Sequence, residues 1–201
     1  MARSSTDSKK GAQVAKVKDK FRDWNLFHKA IVTGMVAFGL SVLVKAYFAI
    51  DGAYELKEER IIPASTAAIW PWVTENLKRP NWQGEVIRVQ GLSTDVGRRR
   101  LLFWQRQFEN WRSSEVTTAL VQERLFSVEQ ESDFDTRWLE VELTPLGPCE
   151  TKVTMTEIIQ PALFSDRFFF FRVREKRQQR LANSLPYLEN WVLKSTPTCA
   201  P

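Results

Sequence analysis

Two carboxylates and one amide are the side chains of this sequence best placed to meet a ligand. Glu157 follows Val153 and Met155 at two-residue steps, so on a strand all three project from one face. Glu175 and Gln178 fall in the middle of a repeat of three- and four-residue steps. It runs Phe164, Phe168, Phe171, Glu175, Gln178, Leu181 or Ala182, Leu185 and on to Trp191 or Val192. On a helix this stripe is apolar at both ends and polar in the middle. A buried polar group without a partner costs about 2–7 kcal/mol, so the middle must meet an arginine, water or a polar ligand head. Otherwise the helix is exposed there, and Arg172, Arg174, Lys176, Arg177 and Arg180 are its solvated surround.

The remaining reactive inventory is thin. His28 is the only histidine and borders an apolar run, which excludes Ser-His-Asp and Cys-His chemistry and makes it a boundary residue. Cys149 and Cys199 stand fifty residues apart; a disulfide is allowed in an exported domain but not implied. There is no Cys/His cluster for zinc or iron and no glycine-rich phosphate loop. No catalytic residue, metal or cofactor is expected.

The apolar run is Ala30 to Ile50, 21 residues interrupted only by Lys45. At about 1.5 Å per residue it spans roughly 30 Å, the hydrocarbon thickness of a bilayer. A buried helix of a soluble protein is the alternative, since only Ala30 to Val44 is free of charge. Lys45 can snorkel, and Tyr47 and Phe48 suit an interfacial belt. Residues 1–29 carry eight Lys or Arg against three Asp, while residues 51–201 carry 20 basic against 21 acidic side chains. The basic balance therefore belongs to the anchor, and the domain has no field to attract phosphate chains, so no nucleic-acid partner is expected. The positive-inside rule puts the N-terminus on the cytoplasmic side and the domain on the opposite side of a single-pass membrane protein. Within the first segment Val14, Val17, Phe21, Trp24 and His28 recur at helical steps among lysines, as in a basic amphipathic helix at a headgroup surface.

Residues 54–196 read as one α+β domain, followed by a tail, 197–201. A strand over Tyr54 to Ile62 ends at Pro63, and Ser65 can cap a short helix carrying Ile69, Trp70 and Val73. Alternating segments follow at 85–90, 98–107, 111–120, 124–131, 136–143 and 150–159, broken at 91–97, 109–110, 132–133 and 144–148. Short connections imply an antiparallel meander. One helix over about 163–193 closes the chain. Trp70 and Trp82 are expected to be structural and Trp138 to face away from the interior.

This order resembles the SRPBCC superfamily, the helix-grip fold of START lipid-transfer domains and polyketide cyclases. Glu59-Arg-Ile-Ile-Pro-Ala-Ser-Thr-Ala-Ala-Ile-Trp70 is similar to the family's strand-then-"IPAPPEXVW" opening. Val73-Thr74 and Pro80-Asn-Trp82 resemble its "D…WPXW" run, with Asn76 where an Asp is common. Val96-Gly97, Gly147, Thr151 to Glu157, Pro161 to Phe164 and Phe168 to Phe171 resemble its later motifs in order and spacing. The resemblance implies a curved antiparallel sheet of about seven strands wrapped on a long C-terminal helix, with a cavity between them.

Period-two reading nominates the cavity lining: Leu101 and Phe103, Val116, Phe126 and Val128, Leu139 and Val141, Val153, Met155 and Glu157, joined from the helix by Phe168, Phe171, Glu175 and Gln178. Three functions fit. The first is a membrane-anchored binding protein for a hydrophobic small molecule (lipid, quinone, isoprenoid or pigment-like) exchanged with the bilayer. The second is an accessory subunit of a larger membrane protein complex. The third, by analogy of fold, is a cyclase-like enzyme using Glu157 or Glu175.

Overall fold

The computed structural model describes residues 26–106 and 109–195, with the side chains of residues 26, 48–51 and 170–172 outside that description. Most of the expected amphipathic segment, up to residue 25, therefore lies outside the described residues. Helix α1 covers Leu26–Asp51 and forms a unit of its own up to Phe48. Its stretch Phe27–Tyr47 is long and apolar enough to cross a membrane, and none of it is buried. The helix starts earlier than the apolar run because Leu26, Phe27 and His28 continue it without a breaker.

The second unit begins at Ala49. Strand β1, Tyr54–Ile62, buries Tyr54, Leu56 and Ile62 and exposes Glu55, Lys57 and Glu59, the alternation of a half-buried strand. Ser65 caps helix α2, Thr66–Thr74, accepting from the Ala68 amide at 3.3 Å. Ile69, Trp70, Trp72 and Val73 bury one side of α2. A short 3₁₀ turn at Arg79–Asn81 follows, with Pro80 at its start. The meander is β2 Val86–Gln90, β3 Arg99–Arg106, β4 Glu109–Val121, β5 Leu125–Glu131, β6 Asp135–Gly147 and β7 Glu150–Pro161. Sheet order is β1-β7-β6-β5-β4-β3-β2, antiparallel throughout. Cys149, in the β6–β7 turn, is disulfide-bonded.

Three expected boundaries move. The break expected at 109–110 instead opens β4, whose Glu109 and Asn110 pair with Arg106 and Gln105. The break at 144–148 lies largely inside β6, whose Thr144 and Pro145 pair with Lys152 and Thr151. A register shift between Pro145 and Gly147 leaves Leu146 without a ladder partner, directly after the proline that cannot donate. The closing helix is two helices, α3 Phe164–Phe168 and α4 Phe170–Ser195, parted at Phe169 with ψ near 17°. That break resets the helical phase.

One core fills the space between α2, α4 and strands β1, β5, β6 and β7. It contains Leu56, Ile62, Trp72, Trp82, Phe126, Val141, Met155, Leu185, Leu188 and Val192. The Trp82 indole donates to the Trp72 carbonyl at 2.7 Å, which ties the 3₁₀ turn to α2. A smaller cluster, Val86, Val89, Leu102 and Trp104 with Trp111 against it, lies at the β2–β3 end.

Candidate functional site

Across the inner face of the sheet the polar side chains form a row. Arg100 on β3 is the register partner of Glu115 on β4, Glu115 of Gln130 on β5, and Gln130 of Arg137 on β6. All four are buried. Three of the four lie in phase with an apolar neighbour two residues away: Leu102 for Arg100, Val128 for Gln130, Leu139 for Arg137. Burial of such groups is tolerable only if they satisfy one another.

At one end of the row Glu115 does this for two arginines. Its Oε1 accepts from Arg79 Nη1 at 2.5 Å and meets Arg100 Nη2 at 2.6 Å, while Gln130 donates to its Oε2 at 2.7 Å. All three charged side chains are fully buried. Asn76 and Thr117 accept from Arg100 at 3.0 Å each, and Gln83 accepts from Arg79 at 2.8 and 3.2 Å. The Phe126 ring lies 5.6 Å from the Arg79 guanidinium and 5.5 Å from that of Arg100. Burial, opposed by Glu115 and reinforced by Arg79, pushes Arg100 down to about 10.

At the other end the row meets α4. Arg180 Nη2 donates to both Glu157 oxygens at 2.7 and 2.9 Å, and its Nη1 reaches Glu85 at 3.4 Å. Arg106 grips the same Glu85 bidentately at 2.7 and 2.9 Å. Asp135 takes Arg137 Nε on Oδ1 at 2.8 Å and Arg177 Nη2 on Oδ2 at 2.6 Å. Trp104 floors this end, 5.1 Å from the Arg137 guanidinium and 6.0 Å from that of Arg180, and it donates to Ser113 at 2.8 Å. Burial by itself would raise the Asp135 carboxyl, but Arg137 and Arg177 outweigh it and hold it below the usual range. At Glu85 burial is likewise outweighed, by Arg106 and Arg180, and the carboxyl is lowered. Burial works against the charge of Arg180, yet Glu157 and Glu85 raise it.

The expected lining divides accordingly. Phe126, Val128, Leu139, Val141, Val153 and Met155 are buried together in the main core, and Glu157 is buried beside them in its ion pair. Leu101, Phe103 and Val116 lie on the outer face. The inward set on β3 is Arg100, Leu102 and Trp104, because Arg100 is paired with Glu115 across the ladder. Phe103 is covered instead by Arg88, whose guanidinium lies 4.1 Å from the ring. Glu175 is exposed; Arg177 and Arg180 take the polar middle of the helix. Gln178 is half-buried at the sheet edge, donating to the Lys57 carbonyl at 3.2 Å and to the Glu58 carboxylate. Phe168 belongs to α3, edge-on to Phe169 at 4.9 Å. The side chain of Phe171 lies outside the described residues. Trp138 is half-buried on the outer face, and Trp82 is in the core.

Asp135 and Arg137, absent from the expected lining, extend the Leu139, Val141, Leu143 row by the same two-residue step. That continuation was the available signal. The two carboxylates weighed for acid–base work are poorly placed for it. Both Glu157 oxygens are already engaged by Arg180, and Glu175 faces solvent. Among the described residues no His/Cys/Asp/Glu group could hold a metal ion.

Solved structures share this fold. The chain is similar to TTHA0849 from Thermus thermophilus, with a TM-score of 0.58 and 19% identity over 72% of this chain and 100% of that one. It is similar to the Zhui aromatase/cyclase from a Streptomyces species, with a TM-score of 0.56 and 12% identity over 70% of this chain and 94% of the cyclase. Truncated norcoclaurine synthase from Thalictrum flavum matches with a TM-score of 0.55 and 14% identity, over 70% of this chain and 94% of the synthase. The domain is a helix grip. At these identities the likeness establishes the fold alone. No family model matches the sequence, and no curated protein matches it significantly. What the site can do therefore rests on this chain's own residues, foremost its buried arginine–carboxylate belt.

Proposed function

We propose that this chain is a single-pass, membrane-anchored binding protein for a largely apolar molecule taken from or delivered to the bilayer. One observation carries the reading. A helix with the length and composition of a membrane span is joined within a few residues to a helix-grip domain, and solved structures of that fold include enzymes named for small-molecule chemistry. A tether of that length holds the domain at the surface in which such a ligand dissolves, raising its effective concentration. The basic N-terminal segment favours an orientation with the domain on the far side. Lipid extraction and mass spectrometry of the detergent-purified full chain tests the binding: a defined apolar species co-purifying in stoichiometric amount is expected. Labelling of Ser5→Cys and Ser195→Cys variants in intact membranes tests the orientation, the two sites being expected to react from opposite sides.

The buried belt itself favours a second reading. Ion pairs occupy part of the space that a ligand would need, as suits a packing module in a larger membrane complex. Co-purification of a stoichiometric protein partner without any small molecule would favour it.

A further inference from the structure

We infer that Arg137, Arg177 and Arg180 receive the acidic head, a carboxylate or a phosphate, of an amphipathic ligand; this rests on the binding function proposed above. Two guanidinium nitrogens at this end of the belt, Arg137 Nη1 and Arg177 Nη1, are buried and have no hydrogen-bond partner among the described residues. Arg137 as a whole is 5% exposed. Both arginines are fixed by the two oxygens of one carboxylate, Asp135, so their spare nitrogens belong to one locus between β6 and α4. Glu157 Oε1 lies 3.8 Å from Arg137 Nη1, beyond hydrogen-bond reach. That oxygen is already engaged by Arg180 at 2.7 Å.

Charge points the same way. Arg137, Arg177 and Arg180 meet Asp135, Glu157 and Glu85, but Glu85 is also gripped by Arg106. Four arginines therefore share three carboxylates. Spare guanidinium donors beside surplus positive charge, in surroundings too dry for free hydration, call for an anion. The planar fork of arginine matches carboxylate and phosphate oxygens. Buried apolar side chains adjoin the locus, since Ile159 is the register partner of Arg137 and Leu139 that of Glu157. The head would thus be polar and its attached chain apolar, which fits an acidic lipid or a comparable amphiphile.

The test uses the detergent-purified full chain, with oleic acid, oleoyl lysophosphatidic acid, methyl oleate and inorganic phosphate as probes, and retention read by native mass spectrometry. The two acidic amphiphiles should be retained about tenfold better than methyl oleate. Inorganic phosphate should not be retained, which assigns the anion to a lipid head and not to a free ion. Arg177→Gln should abolish the preference for the acids while leaving methyl oleate unchanged. Arg177 is the most exposed of the three arginines, so its loss is the best tolerated. Arg177→Lys, which keeps the charge and loses the fork, gives a second reading if the first variant does not fold. Equal retention of oleic acid and methyl oleate would overturn the acidic-head assignment and leave apolar binding standing. Retention of inorganic phosphate as strong as that of the lipids would overturn the amphiphile. Retention of no probe would overturn the binding function with it.

Discussion

Along α4 the interior changes character within one helical turn. Leu181, Leu185, Leu188 and Val192 are buried in the apolar core, whereas Arg177 and Arg180 reach carboxylates on β6, β7 and the loop before β2. The same strands serve both regions: β6 contributes Leu139, Val141 and Leu143 to one and Asp135 and Arg137 to the other. Apolar burial is non-directional, so the leucine end tolerates changes that preserve volume and pattern. The ionic end tolerates almost none, because each charge is offset only by named partners at fixed distances. Stability can be supplied by either kind of interior. Selectivity for a polar head can be supplied only by the second, which is why the binding inference rests there.

The sharpest way to break this contrast is to remove one member of the belt. Glu115→Ala strands two fully buried arginines and should cost about 3–5 kcal/mol, read as a lowered urea midpoint. Replacing Glu115 together with Arg79 and Arg100 by apolar residues of similar volume should recover most of that loss, since buried ion pairs are often no better than a packed core. At the leucine end Leu188→Ala should cost about 2–5 kcal/mol, whereas Leu188→Met should cost under about 1.5 kcal/mol by the same measurement.

A finer probe is steric. A Cβ at Gly91 would stand 2.5 Å from the Arg100 side-chain Cγ, close to its Cα as well, so the arginine would have to shift its stem. Gly91→Ala should therefore destabilise by about 1–3 kcal/mol, and thermal melting should show the loss reduced in an Arg100→Ala background.

The pH response separates the two regions without mutation. Asp135 and Glu85 have folded-state carboxyls below their unfolded values. Their stabilisation is fully present above the unfolded carboxylate range near pH 4 and is lost as pH falls through the lower folded values. Urea midpoints should fall on acidification below about pH 4, and an Asp135→Asn variant should show a shallower fall. The buried leucines and valines of the apolar end carry no titrating side chain and should themselves contribute no slope. The smallest effect is expected at Glu175, where replacement by Ala should stay within about 0.5 kcal/mol because the side chain is exposed.

Much of this architecture was legible in the residues. Alternation in β6 and β7 was strong enough to place Leu139, Val141, Val153, Met155 and Glu157 on the inner face, because one side of those strands is apolar over several steps. Alternation in β3 was ambiguous: Arg99-Arg-Leu-Leu-Phe-Trp-Gln-Arg106 offers an aromatic residue and an arginine to either face. A single-strand reading treats a buried arginine as improbable, and only the ladder partner Glu115 makes it tolerable.

The sequence alone determined that an apolar helix of membrane length precedes an α+β domain, and it determined the order of the elements. These follow from local patterns of period 3.6 and 2, from capping at Ser65 and from turn chemistry. Only the tertiary structure decided the phase of α4, because the break at Phe169 disconnects Phe164 and Phe168 from the helix they were counted along. Stepping through that break leads to Glu175, while the helix packed against β1 turns Arg177 and Arg180 inward. It alone decided the charged interior as well, since the partners of each arginine come from elements far apart in the chain: Arg79 with Glu115, Arg177 with Asp135, Arg180 with Glu157. A charge can be buried only where an opposite charge is brought to it, and no local pattern carries that information.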